Sequence, residues 1–269
     1  MAILLLQMYQ FFKINRRFTL AVFYYKFIIY IMNIEDFKNK VIQGDCLEVM
    51  KGIPDKSIDM ILCDLPYGTT QNKWDSVIPL DILWVEYERI IKDNGVIVLT
   101  AQTPFDKILG SSNLKSLKYE WIWKKTHGTG HLNAKKMPMK NHENILVFYK
   151  SLPIYNPQMT AGKPYDVVYS THSSNYGKQK DNVRTINAGE RYPLSIQEFK
   201  YDKDKLHPTQ KPVSLFEYLI KTYTNEGYTV LDNCAGSGTT GVACKNTNRN
   251  YILIEKEPEY VDIINKRLQ

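Results

Sequence analysis

Short apolar runs rich in β-branched and aromatic residues punctuate this chain, and stretches of helical period lie between them. The runs are Val41-Ile42-Gln43, Asp59 to Cys63, Val96 to Thr100, Tyr119 to Trp123, Asn144 to Tyr149, Tyr228 to Leu231 and Tyr251 to Ile254. Runs of this length, bounded by turn residues, predict seven strands. Leu80, Leu83, Trp84, Tyr87, Ile90 and Ile91 recur at helical spacing, which predicts one amphipathic helix closed by Asn94-Gly95 as its C-cap. Further helices are expected from Thr239 to about Lys245 and after Pro258. Strands alternating with helices predict an α/β fold around a mainly parallel sheet, with ligands at the carboxyl ends of the strands. Asp45, Asp64, Asp232 and Glu255 all fall at that edge.

Two motifs at the same edge carry chemistry. After the strand ending at Leu231, Asp232-Asn233-Cys234-Ala235-Gly236-Ser237-Gly238 makes a glycine-rich turn into a helix. Gly236, Gly238 and Gly241 have the G-x-G-x-x-G spacing, and Glu255 follows about 20 residues on, where a dinucleotide fold places the acid that takes ribose hydroxyls. The turn alone suits a nicotinamide dinucleotide as well as S-adenosylmethionine. Position separates the two. Only Pro258 to Gln269 remains after Glu255, so the other strands must come from upstream, in a circularly permuted order.

The second motif, Asp64-Leu65-Pro66-Tyr67, has the groups needed to hold an exocyclic amine. Such a nitrogen is a poor nucleophile because its lone pair is delocalised into the ring. A carboxylate and a carbonyl that accept its two hydrogens aim that lone pair at a methyl donor, and Asp64 and the Leu65 carbonyl are that pair. Pro66 restricts Leu65 to extended geometry, and Tyr67 offers a flat face for a flipped base. The competing reading is a plain turn after a buried strand.

With these motifs in this order, the chain resembles the β group of DNA amino-methyltransferases, the N6-adenine and N4-cytosine enzymes. Between the two motifs, His207-Pro208-Thr209-Gln210-Lys211-Pro212 is similar to a block that leads into a helix beside the cofactor. Gly44-Asp45-Cys46 is similar to an acidic turn at the cofactor's adenine, and Asn133 to Lys136 with Asn141-His142-Glu143 also looks familial. The resemblance covers about Met32 to the C-terminus. It implies a Rossmann-like seven-stranded methyltransferase sheet, circularly permuted, with an inserted target-recognition region at 151–206.

It also implies S-adenosylmethionine as cofactor, held by Asp45, Cys46, Lys211, Asp232, Cys234, Gly236, Gly238 and Glu255. Asp64, Leu65, Pro66 and Tyr67 become the catalytic residues. Leu65 replaces the family's first proline, a position that needs only a carbonyl. Asn233-Cys234 replaces Pro-Phe, which removes a stacking ring from the cofactor. Asp at position 64 resembles the adenine-specific members, so N6-adenine in duplex DNA is the expected target. The alternatives are N4-cytosine, an amine of RNA or glutamine, and a DNA-binding relative without catalysis. Double-stranded DNA is the implied partner, and the family admits a homodimer and a paired restriction endonuclease.

Composition adds to this. The formal net charge is +7, which favours a polyanionic partner. Lys115, Lys118, Lys124, Lys125, Lys135, Lys136 and Lys140 crowd one stretch and are expected to form a phosphate-facing wall. Within 151–206, Asn175, Tyr176, Gln179, Arg184 and Arg191 are candidates for base or phosphate contacts, and Asn72, Lys73 and Trp74 for a loop over the flipped nucleotide. Cys46, Cys63, Cys234 and Cys244 lack C-x-x-C spacing, so neither metal nor disulfide is expected and a cytoplasmic setting fits. Residues 1–31 are apolar and aromatic but broken by Lys13, Arg16, Arg17 and Lys26, too interrupted for a membrane span. Met32 is the expected start of the methyltransferase domain (32–269), with the preceding stretch an atypical extension read as misassigned upstream sequence, the alternative being an amphipathic or membrane-touching segment.

Overall fold

Ile58 to Cys63 is an extended run of six buried residues, so this strand needs cover on both faces. The computed structural model, which describes residues 33–69, 75–169, 182–203, 206 and 210–269, supplies that cover with helices. In chain order the strands are Lys40–Gln43 (β1), Ile58–Asp64 (β2), Ile91–Ala101 (β3), Leu117–Thr129 (β4), Lys140–Phe148 (β5) and Thr160–Ala161 (β6). Then come Tyr165–Tyr169 (β7), Val183–Asn187 (β8), Glu190–Arg191 (β9), Ile196–Glu198 (β10), Thr229–Asp232 (β11) and Asn250–Glu255 (β12). The helices are Cys46–Met50 (α1), Leu80–Ile90 (α2), Phe105–Ser112 (α3), Val213–Tyr223 (α4), Thr239–Asn246 (α5) and Pro258–Arg267 (α6).

The main sheet runs β1-β12-β11-β2-β3-β5-β4-β10. Every neighbouring pair is parallel except those made by β5, which is antiparallel to both β3 and β4. All seven expected strands are in this sheet, and the short β10 extends it by one. Because side chains alternate along a strand, each strand feeds two cores. Ile61, Cys63, Ile97 and Leu99 pack with Leu83, Trp84, Tyr87 and Phe105 from α2 and α3. Met60, Leu62, Val96 and Val98 pack with Leu215, Phe216, Leu219 and Ile264 from α4 and α6.

One expected boundary is corrected. The α2 helix ends at Ile90, and Ile91 is already extended (φ −70°, ψ 139°) and pairs with Ile58. Asn94-Gly95 lies inside β3, at a bulge where the register shifts between Ile58 and Met60. A Cβ on Gly95 would stand 2.7 Å from Ile91 Cγ1 and 3.0 Å from the Asp59 carbonyl, so the glycine there permits close backbone approach.

The interval 151–206 holds two small antiparallel ladders, β6 with β9 and β7 with β8, before β10 joins the main sheet beside β4. Among the described residues, no helix is long and apolar enough to cross a membrane. The expectations for residues 1–31 and Met32, for Asn72, Lys73 and Trp74, for Asn175, Tyr176 and Gln179, and for His207, Pro208 and Thr209 lie outside the described residues.

Candidate active site

Parallel strands end on one edge, so β2, β11, β12 and β1 deliver Asp64, Asp232, Glu255 and the Asp45 turn to the same side. The antiparallel β5 starts where the others end, which adds Glu143 to that edge. These groups line one cavity of about 490 Å³, within the usual size range for small-molecule sites. It reaches from the Gly236 turn and Glu255, past Asp64 and Tyr67, to Trp123 and Thr129.

At its centre Asp64 is tightly held. Its Oδ1 accepts hydrogen bonds from the Tyr67 hydroxyl at 2.7 Å and from Thr100 Oγ1. Its Oδ2 accepts from Lys211 Nζ at 2.6 Å. The Tyr67 ring stacks on Phe105 at 5.3 Å between centroids. Burial, followed by the charges of Asp64 and Glu143, pushes the Tyr67 hydroxyl well above its usual pKa, so it stays a donor. Asp75 fixes the exit of the turn, accepting from the backbone N–H of Gly68 at 2.8 Å and of Thr69 at 3.0 Å.

Behind Asp64 lies a set of charges that the sequence did not disclose. Lys211 is buried and stands 3.3 Å from Glu143 Oε2, and Glu143 Oε1 pairs with the buried Lys125 at 2.5 Å. Burial opposes the Lys211 charge, but the carboxylates of Asp64 and Glu143 outweigh it and raise its pKa. Burial likewise opposes ionised Glu143, but Lys211 and Lys125 outweigh it and lower its pKa. Lys125 therefore leaves the expected phosphate-facing wall and turns into the cavity. Lys124, the adjacent residue, stays exposed and pairs with Glu198 at 2.8 Å. The Lys211 side chain meets Asp64, and its backbone carbonyl accepts from Thr239 Oγ1 at 3.4 Å, beside the glycine turn.

The glycine turn opens α5. Gly238, its N-cap, has φ 80°, and a Cβ there would meet Ile264 Cγ2 at 2.9 Å, so backbone sterics and packing both require glycine. Asp232 is buried and accepts from Cys234 N at 3.1 Å and from the Thr240 hydroxyl. Burial raises its pKa to about 6. Glu255 ties the turn to β12, accepting from Gly236 N at 2.7 Å and Glu257 N at 2.9 Å, and burial raises its pKa too.

Asp45 caps α1 by accepting from Leu47 N at 3.0 Å and lies 3.7 Å from Lys256, while still lining the cavity. Cys46 and Cys234 also line it. Asn233 lines it as well, and its Oδ1 accepts from the Tyr87 hydroxyl at 2.5 Å. Arg184 and Arg191 are not gathered here. Arg184 is paired with Asp166 at 2.6 Å, and Arg191 donates to Asn187 at 2.7 Å and covers the Tyr165 ring.

Residues 58–266, which contain both motifs and most of the cavity's lining, match the N6/N4 DNA methylase family model. The chain belongs to that family. The methylase is 30% identical to the type II methyltransferase M.HinfI of Haemophilus influenzae, over 88% of this chain and 70% of the relative. It is 28% identical to M.HpaI of Haemophilus parainfluenzae, over 85% of this chain and 74% of that one. Its fold is similar to the crystal structure of the M1.HpyAVI–SAM complex, with 26% identity and a TM-score of 0.59 over 85% of this chain and 99% of that one. It is also similar in fold to the cytosine-N4-specific PvuII methyltransferase, with 16% identity and a TM-score of 0.63 over 86% of each chain.

Sequence reasoning missed Thr100, Phe105, Asp75 and Lys125 as parts of the site, and noted Glu143 without giving it a role. One signal was available for Glu143. It lies in β5 two residues before the buried apolar run Ile145 to Phe148, where a charge needs a partner.

Proposed function

We propose that this methylase transfers a methyl group from S-adenosylmethionine to the N6 amino group of adenine in duplex DNA, with the base flipped into the cavity. The observation that carries the reading is the placement of Asp64 and Leu65 in a cavity continuous with the Gly236 turn. The residues at that turn suit the cofactor. Asp232 is a buried carboxylate with hydrogen-bond donors but no cation among its described partners, a seat for a cationic ligand end. Glu255 and Asp45 suit ribose and adenine, and the turn leaves the backbone open to close approach.

When bound, S-adenosylmethionine supplies an electrophilic methyl carbon whose bond to sulfur breaks with its electron pair left on sulfur. Asp64 and the Leu65 carbonyl accept the two amine hydrogens, which turns the nitrogen lone pair towards that carbon as the N–C bond forms. The methylated nitrogen carries one surplus proton, which leaves through the Asp64 carboxylate. Tyr67 supports the base, and its hydroxyl keeps Asp64 oriented. Asp at position 64 favours adenine over cytosine. In the same reading the strand order is a circular permutation, 151–206 is the target-recognition insertion, and the protein acts in the cytoplasm, with a second copy or a restriction enzyme as partners.

Incubation with unmethylated duplex DNA and methyl-deuterated S-adenosylmethionine, followed by digestion and mass measurement of the nucleosides, tests this directly. Labelled N6-methyladenine is expected. Labelled N4-methylcytosine would keep the chemistry and correct the base. No labelled nucleoside, with DNA and cofactor both bound, would overturn the reading.

A further inference from the structure

Lys211 creates a difficulty for the proposed chemistry. An amine nitrogen that accepts a methyl cation gains a full positive charge, and Asp64 is the group meant to stabilise it. Yet Asp64 Oδ2 already holds the Lys211 ammonium at 2.6 Å. A cation there half-neutralises the acceptor and repels the charge that develops on the amine, in a buried place where such repulsion is strong. Productive chemistry requires the lysine to give way.

The structure provides a place for it to go. Glu143 Oε2 is buried, makes no hydrogen bond to any described residue, and lies 3.3 Å from Lys211 Nζ. The other Glu143 oxygen is fixed by Lys125 at 2.5 Å, which keeps the carboxylate in position and ionised. Lys211 thus has two acceptors within reach, one hydrogen-bonded at 2.6 Å and one met only as an ion pair at 3.3 Å. We propose that Glu143 is a positioning residue that draws Lys211 off Asp64 when the amine docks, so that the carboxylate faces the reacting nitrogen unneutralised. Lys211 serves as a stand-in cation that keeps half-buried Asp64 paired between turnovers, and Lys125 anchors its second seat. This rests on the amine-methylation reading given above.

The test is a double-mutant cycle read by single-turnover methyl transfer at saturating DNA and S-adenosylmethionine, with cofactor affinity measured separately. Glu143→Gln weakens the second seat and leaves the lysine on Asp64. Its transfer rate is expected to fall about 30-fold, with cofactor affinity within about twofold of the parent. Lys211→Met alone removes the competing cation and is expected to stay within about tenfold of the parent. The decisive variant is Glu143→Gln/Lys211→Met, which should be faster than Glu143→Gln and match Lys211→Met. A purely structural role for Glu143 makes the double variant as slow as the product of the single losses, which would overturn the proposal. So would a Glu143→Gln variant with near-parental rate.

If Glu143→Gln does not fold, Lys125→Met/Glu143→Gln removes both members of the anchoring pair and is compared with its own Lys211→Met derivative in the same way. A parent protein that binds cofactor and DNA but labels no base removes the amine-methylation reading and this proposal with it. A parent that labels DNA without rescue in the cycle removes this proposal alone.

Discussion

Asp64 and Asp232 end neighbouring parallel strands, β2 and β11, and both open onto one cavity, yet the fold treats their charges in opposite ways. Asp64 is given a cation, Lys211, together with hydrogen bonds from Tyr67 and Thr100. Asp232 receives a backbone N–H and a threonine hydroxyl, and burial lifts its pKa to about 6. A buried carboxylate with no cation is costly to keep ionised. The cost makes sense where a cationic ligand is to arrive, and S-adenosylmethionine carries an ammonium and a sulfonium. In the proposed reaction Asp64 instead accepts through a step that creates a cation beside it, and Lys211 holds its charge until the amine docks. Under the proposed function, the comparison separates a carboxylate prepared for binding from one prepared for chemistry.

Removing each carboxylate should therefore give different losses. Asp64→Ala is expected to lower the methyl-transfer rate by ~10² or more while cofactor affinity stays near parental, the behaviour of a contact used mainly in the transition state. Equal losses in rate and cofactor affinity would show that the two carboxylates are not specialised.

Asp232→Asn should act on binding, with a weakening of S-adenosylmethionine by about tenfold at pH 7. The pH dependence sharpens this. Burial raises the pKa of Asp232 in the folded state to about 6, above the usual carboxylate range, so the folded state holds that proton more tightly than the unfolded chain does. Stability from this group is full below the unfolded pKa and is lost as pH rises through about 6, an effect of at most ~3 kcal/mol. Denaturant unfolding without cofactor should show the parent losing stability relative to Asp232→Asn between pH 4 and 7. Cofactor affinity should move the other way in the parent, rising through about pH 6 as Asp232 ionises, and stay flat in the variant. A parent affinity that does not change with pH would place the cationic end of the cofactor elsewhere.

The two halves of the site also differed in how far the sequence disclosed them. The glycine turn was legible because its constraint is local. At Gly238 a positive φ and the nearness of Ile264 both exclude a side chain, so the glycine pattern records the geometry. The seven strands were legible for a similar reason, since strands covered on both faces read as apolar runs. The charges behind Asp64 were not legible. Lys125, Glu143 and Lys211 are far apart in sequence, and each alone reads as a solvated residue. Only the reversal of β5 brings Glu143 to the carboxyl edge of the sheet. Lys125 was misread because a count of lysines ignores strand alternation. Lys124 and Lys125 face opposite sides, one towards Glu198 and one into the cavity.

The smallest expected effect concerns Tyr67, whose ring and hydroxyl serve different ends. The ring packs on Phe105 and in the proposed reaction supports the base, while the hydroxyl donates to Asp64 at 2.7 Å. Tyr67→Phe keeps the ring and removes one of the donors to Asp64, leaving Thr100 and Lys211 in place. A hydrogen bond to a carboxylate that retains other donors contributes roughly 1 kcal/mol, so the transfer rate should fall about fivefold with cofactor affinity unchanged. Tyr67→Ala loses the stacking face as well and should weaken DNA binding more than it slows transfer from bound DNA. If Tyr67→Phe instead falls as far as Asp64→Ala, the hydroxyl rather than the lysine controls the state of the carboxylate. Asp64 would then be governed by neutral donors alone, as Asp232 is, and the contrast between the two carboxylates would be lost.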